Sequence, residues 1–186
     1  MIGRQVVEKL CDAGAQVASV SLDKIETDPR AKKYFADLTD FKLCRDITKN
    51  ADYVCHIAGI KGSVEVTRSK PASFLVPLLM MNTNLMEACR VNSVAKVVYT
   101  SSIGAYAEAE CFREKNDTLA EPPMDEFPGW AKRMAELQVE AYRLEFGLEN
   151  FAVVRPCNVY GPGDNFNPDN AMVIPTLIHR ITSGED

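Results

Sequence analysis

Residues 96–106 read Lys-Val-Val-Tyr-Thr-Ser-Ser-Ile-Gly-Ala-Tyr, and this stretch decides the fold. A Val-rich apolar run ends in three consecutive hydroxyl residues, Thr100, Ser101 and Ser102. The pattern predicts a buried parallel strand whose C-terminal end delivers hydroxyls into a crevice. In open α/β sheets, ligands bind beyond the C-terminal ends of the strands. Residues 151–162, Phe-Ala-Val-Val-Arg-Pro-Cys-Asn-Val-Tyr-Gly-Pro, repeat the design and carry Arg155 and Asn158 out of an apolar run.

On either side of these strands, helical and extended patterns alternate. Ile2, Val6, Val7, Leu10 and Cys11 share one face of a helix over residues 2–13, and Gly14 stops it. Short strands are expected over 16–20, 33–36 and 52–58. Asp40 caps a helix that runs to about residue 49. Pro77 places the regular part of the next helix at 78–91. Residues 107–128 are polar and proline-containing, and read as a long surface connection. A strong helix is expected over 130–146, stopped by Gly147, and the start of another over 173–181. Alternation at this spacing means a parallel sheet with helices on both faces, and right-handed crossovers make it doubly wound.

Composition sets further bounds. The chain has 186 residues, enough for one domain with a real core, and 46% are hydrophobic. The net charge of −5 argues against nucleic acid or an anionic membrane as main partner. No apolar run nears the ~20 residues that span a bilayer. Six scattered cysteines without a Cys-x-x-Cys pair read as small buried residues in a reducing cytosol, so a cytoplasmic protein is expected. The two histidines, His56 and His179, lie far apart, and no metal site is expected. His56, inside an apolar strand, reads as a core residue.

The first helix opens the given sequence. A nucleotide-binding sheet of this kind opens with a central strand and a glycine-rich turn before that helix. Gly3 reads as the last glycine of such a turn. The expected sheet therefore lacks its first central strand, leaving unpaired edges on the strands around Val17 and Val54, and the expected phosphate grip is weak.

Taken with Lys132, the serines and the Arg155 stretch, the sequence resembles the extended short-chain dehydrogenase/reductases, the NAD-dependent epimerase/dehydratase family. Met81-Asn82-Thr83-Asn84 and the run from Tyr160 through Asn165 and Phe166 are similar to the GDP-L-fucose synthase-like nucleotide-sugar epimerase/reductases. The resemblance implies a Rossmann-like, doubly wound NAD(P)-binding domain over residues 1–186, with most of the sugar-binding lobe absent. It implies that Ser102 polarises a sugar oxygen and that Lys132 contacts the nicotinamide ribose. It implies cofactor contacts at Gly3, Ser21, Asp37, Leu38, Ala58, Gly59 and Pro156, and sugar-nucleotide contacts at Lys61, Arg155 and Asn158. Arg155 has a rival reading as the partner of a carboxylate, and Lys61 as a solvated lysine. Ser21, where an acidic residue would favour NAD, inclines the choice to NADP, with NAD kept open. A homodimer through the fourth and fifth helices is a further implication, with Met80, Met81, Leu85 and Met86 as candidates for pairing or for the core.

Three departures stand out. The family's tyrosine, one helical turn before the lysine, is Pro128 here. The fucose synthases have a cysteine where this chain has Gly104, and a histidine where it has Met172. Neither glycine nor methionine titrates. Tyr106 becomes a candidate proton carrier. The rival expectation is a catalytically silent dinucleotide-binding module.

Overall fold

The structure is a computed structural model that describes residues 1–60, 62, 64–116, 121–167 and 171–184. In chain order the elements are α1 (Ile2–Asp12), β1 (Ala18–Ser21), β2 (Lys32–Phe35), α2 (Phe41–Thr48), β3 (Tyr53–His56), α3 (Val64–Ser69), α4 (Pro71–Val91), β4 (Lys96–Thr100), α5 (Glu126–Phe146), β5 (Phe151–Val154) and α6 (Val173–Ser183). A 3-10 turn, Ile103–Ala105, follows β4, and another, Glu114–Asn116, lies in the long connection.

All strand pairs are parallel. They form two separate sheets, β1-β2 and β3-β4-β5. No strand bridges β1 and β3 among the described residues, as expected for a Rossmann-like sheet without its first central strand. β4 is central in the larger sheet, and Val97 pairs with Val54 on one side and Phe151 on the other.

The strand pleat sets the core. Val97 and Tyr99 of β4 are buried on the face covered by α2, α4 and α5. One cluster joins Cys44 of α2, Leu85, Ala88 and Cys89 of α4, and Val97. A second joins Met86, Tyr99, Ala135 and Tyr142. Leu85 and Met86 are thus consumed by the core and unavailable for a partner, while Met80 stays 45% exposed. α1 packs Val7 and Cys11 against Ala31 and Val17.

Two helices start earlier than the sequence suggested. α4 begins at Pro71, with proline at its first position, where the missing N–H would have no partner anyway. It continues through Pro77, so one backbone hydrogen bond is missing there. Burial of Phe74 and Leu78, one turn apart, against Ala131 of α5 outweighs that loss. α5 begins at Glu126 rather than residue 130, with Pro128 in its first turn, again where no N–H is needed. The short helix α3 lies where the residues read only as a loop. Gly147 ends α5 in the left-handed region at φ 66°, its N–H returned to the Arg143 carbonyl, a conformation that favours glycine.

Candidate active site

The C-terminal end of β4 carries the site. Ser101 and Ser102 point to different fates. Ser101, 4% exposed, donates its hydroxyl to the Glu136 carboxylate. Ser102 caps the 3-10 turn instead: its Oγ accepts the Gly104 N–H at 3.1 Å. A hydroxyl that accepts there keeps its own proton to give to another oxygen. Of the two serines, Ser102 is therefore the one free to polarise a ligand.

Lys132 reaches the same strand end from α5. Its Nζ donates to the Thr100 carbonyl at 2.7 Å and lies 5.1 Å from the Tyr99 ring centroid. Burial pulls this ammonium down from 10.5 to about 8, against the opposing pull of Glu136. Gly59, just beyond β3, faces it: a β-carbon there would lie 4.0 Å from Lys132 Nζ. The glycine leaves that side of the ammonium open.

Behind the lysine is a buried polar group of three. His56 donates from Nε2 to Asn82 Oδ1 at 2.9 Å, and Asn82 Nδ2 donates to the Tyr99 hydroxyl (3.1 Å) and the Ala131 carbonyl (3.3 Å). Because Asn82 spends its amide on those acceptors, its oxygen is left to accept, which fixes the neutral His56 tautomer with the proton on Nε2. Burial, and secondarily the Lys132 charge, push His56 down to about 3. His56 is a core histidine, and Asn82 ties β3, β4 and α5 together.

Glu136, one turn after Lys132, organises the other side. Arg155 Nε donates to its Oε1 at 2.9 Å, and Arg155 Nη2 also pairs with it. The Arg155 guanidinium carbon lies 4.2 Å from the centroid of Tyr106. Arg155 thus has the carboxylate partner that was its alternative reading, and Tyr106 is held between Arg155 and Phe112. The Pro156 carbonyl accepts the Ile103 N–H at 3.2 Å, drawing the segment after β5 to the 3-10 turn, while Asn158 is exposed beyond it.

The remaining expected positions are scattered along the strand ends. Ser21 ends β1 and its Oγ accepts the Asp23 N–H at 3.2 Å. Asp37 Oδ1 accepts both the N–H and the hydroxyl of Thr39, which lowers its carboxyl below the ordinary range. Leu38 is buried in the core cluster. Ala58 packs against the same cluster, and Gly3 sits in the first turn of α1 with open space around it. Lys61 lies outside the described residues.

Three residues went unnoticed in the sequence. Glu136 was legible only as the i+4 neighbour of Lys132. Arg133 is fully buried, donates to the carbonyls of Ala105 and Glu121, and so clamps the 3-10 turn and the end of the long connection onto α5. Asp125, just before α5, lies against Gly104: a β-carbon on Gly104 would fall 2.8 Å from Asp125 Cβ and overlap its carboxylate.

A parallel sheet with a serine at the end of its central strand and a lysine brought to that end by the next helix defines a class, and the sequence agrees. Residues 1–186 match the NAD dependent epimerase/dehydratase family, and the chain belongs to it. Among its relatives is a probable GDP-L-fucose synthase 1 of Oryza sativa subsp. japonica, 33% identical over 133 residues, covering 69% of this chain and 40% of that protein. A probable GDP-L-fucose synthase of Drosophila melanogaster is 26% identical over 186 residues, covering 92% of this chain and 57% of that protein. The UDP-glucose 4-epimerase of Thermotoga maritima, solved with UDP-glucose, superposes with a TM-score of 0.86 at 25% identity over 100% of this chain and 61% of that one. The chain thus spans 40% to 61% of the length of these relatives.

Proposed function

We propose that this chain contributes the dinucleotide-binding and hydride-transfer half of a nucleotide-sugar epimerase, dehydratase or reductase. The observation that carries this is the convergence on one strand end. Ser102 keeps a proton to give, and Lys132 is anchored to Thr100, two residues earlier.

The residues present fit a nicotinamide dinucleotide, NADP or NAD. Gly59 leaves space beside the Lys132 ammonium, where a ribose hydroxyl would accept from it. Asp37 uses one carboxylate oxygen on Thr39, and the other is left to accept an adenine amine, with the Leu38 backbone beside it. Ser21 stands where the second ribose would lie, and Gly3 and Ala58 flank the path of the phosphates. A bound dinucleotide supplies hydride at its nicotinamide ring.

The chain's own residues do the rest. Ser102 donates to the sugar oxygen at the reacting carbon and orients it. Lys132 holds the ribose and places a positive charge by the ring. Asn158 and Arg155 border the sugar-nucleotide side, with Arg155 acting through its pairing to Glu136, and Pro156 belongs to the cofactor side. Tyr106 lines the same side under Arg155. For pairing with a second copy, α4 leaves Val76 and Met80 exposed one turn apart, and α5 leaves Met134 and Leu137 exposed. A cytoplasmic setting is part of this reading, supported by six cysteines that are all free. Among the described residues, no helix is long and apolar enough to cross a membrane.

A second reading is favoured by Pro128, which puts no hydroxyl one turn before Lys132: a dinucleotide-binding module without turnover. Mixing the chain with NADP⁺ or NAD⁺ and a panel of UDP- and GDP-sugars, and following the reduced-nicotinamide absorbance, separates the two. Reduction that is lost in Ser102→Ala supports the enzyme. Dinucleotide binding with neither reduction nor conversion of any sugar, read from the sugar's proton NMR signals, supports the module, and no dinucleotide binding overturns both.

A further inference from the structure

The proton that must accompany hydride has no carrier at residue 128. The structure offers one on the other side of Ser102. The Gly104 N–H donates to Ser102 Oγ, and the Gly104 carbonyl accepts the Asp125 N–H at 3.1 Å. Met124 N–H donates to the Tyr106 carbonyl at 2.7 Å. These backbone bonds lay residues 124–125 alongside the 3-10 turn. They bring the Asp125 carboxylate into the space that a side chain on Gly104 would fill. Gly104 is buried while Asp125 is itself exposed, so the carboxylate lies against the turn from its solvent side, over the glycine whose N–H is held by Ser102.

Two further observations say this placement is not incidental. Asp125 stands where an aspartate ordinarily caps a helix, yet its side chain makes no capping hydrogen bond to α5. The next residue, Glu126, is held at φ 47°, a conformation unfavourable for a non-glycine residue. The backbone is thus strained at the point where it turns the carboxylate away from the helix and toward Gly104, and such strain gathers at functional sites. Burial also raises the Asp125 carboxyl above its ordinary range, toward the pH where it can hold a proton.

We infer that the Asp125 carboxyl is the proton carrier of this site, giving its proton to the sugar oxygen that Ser102 orients and taking it back in the reverse direction. This rests on the reading of the Ser102–Lys132 crevice as the sugar-oxidoreduction site. In the reducing direction the carbonyl π bond breaks and hydride forms the new C–H bond with its electron pair. The Asp125 O–H bond breaks as the sugar O–H bond forms. The carboxylate then regains a proton from solvent on its exposed side. Each reduction consumes one hydride from a reduced dinucleotide, which is left oxidised, and one proton from solvent.

The test uses the whole chain, with Asp125→Asn as the isosteric variant and Tyr106→Phe as its rival. The first readout needs no turnover. In chain labelled with carbon-13 aspartate, one carboxyl resonance absent from Asp125→Asn titrates above the ordinary aspartate range, and its midpoint moves when NADPH and UDP-glucose are added together. The second is turnover on the sugar panel: Asp125→Asn lowers kcat by about 100-fold or more, the scale of a general acid, while dinucleotide affinity is kept; a loss of that size in Tyr106→Phe with turnover kept in Asp125→Asn overturns the inference. An Asp125 midpoint indifferent to both ligands, or full turnover in Asp125→Asn, overturns the inference. If the chain binds no dinucleotide, the reading of the crevice fails as well, and the two failures are told apart by that binding alone.

Discussion

Asn82 accepts the His56 ring N–H at 2.9 Å and is 1% exposed, so one amide in the middle of α4 partners the Nε2 side of a buried imidazole on β3, whose Nδ1 has no partner among the described residues. The same amide donates to Tyr99 and Ala131. Its removal leaves several buried polar groups without partners at once. Asn82→Ala is expected to destabilise the chain by about 3 kcal/mol, because each orphaned buried group costs on the order of 1–3. Urea unfolding checks this.

His56 makes the fold sensitive to acid. Its folded value of about 3 lies below the ordinary 6.5. Between those limits the unfolded chain binds a proton that the folded chain refuses, so the stability it contributes is present above 6.5 and is lost as pH falls toward 3. His56→Gln has no such proton to refuse. The difference in urea midpoint between neutral and mildly acidic buffer is therefore expected to be smaller in His56→Gln than in the unaltered chain. An equal loss in both would remove His56 as the cause.

Lys132 works in the opposite part of the scale. Its folded value is about 8 against 10.5 when unburied. Within that window the unfolded chain again holds the extra proton, so stability rises with pH from 8 to 10.5, and Lys132→Met is expected to abolish that rise. Glu136 is what holds the lysine up against burial. Glu136→Gln is expected to lower the Lys132 midpoint further, read from its side-chain nitrogen resonance. It also strips a half-buried partner from Arg155 and Ser101, with a loss of about 2 kcal/mol in unfolding.

Gly104 and Asp125 share one space. Gly104→Ala forces the new β-carbon onto the Asp125 side chain, and a loss of about 2 kcal/mol is expected from overpacking. Asp125→Gly removes the obstacle. In the double variant roughly half of the loss should return, a coupling that a double-mutant cycle by urea unfolding measures directly. Simple additivity would show that the two residues do not meet.

The architecture was readable wherever apolar period and side-chain chemistry agreed. The Val97 strand ending in serines, the Lys132 helix and the absent central strand are all as the residues indicate. Helix starts were not readable at Pro71 and Pro128. Proline in a sequence signals a break, and only packing tells whether its missing N–H falls in a first turn or is outweighed by burial, as at Pro77. Resemblance alone picks Ser102 over Ser101; the physical reason, the pairing of Ser101 with Glu136 35 residues further on, is not local. The partner of Arg155 and the clamp made by Arg133 are likewise long-range pairings that no local pattern encodes. Asp125 was hidden because its meaning depends on what Gly104 lacks.

Pro128 sits in the opening turn of α5, where the backbone asks nothing of it, and Lys132 is aimed by its bond to Thr100 and by the core behind it. Position 128 is therefore released from architectural duty. Exchanging the side chain there leaves the scaffold intact, which makes this helix a place where new chemistry can be tried without loss of the fold.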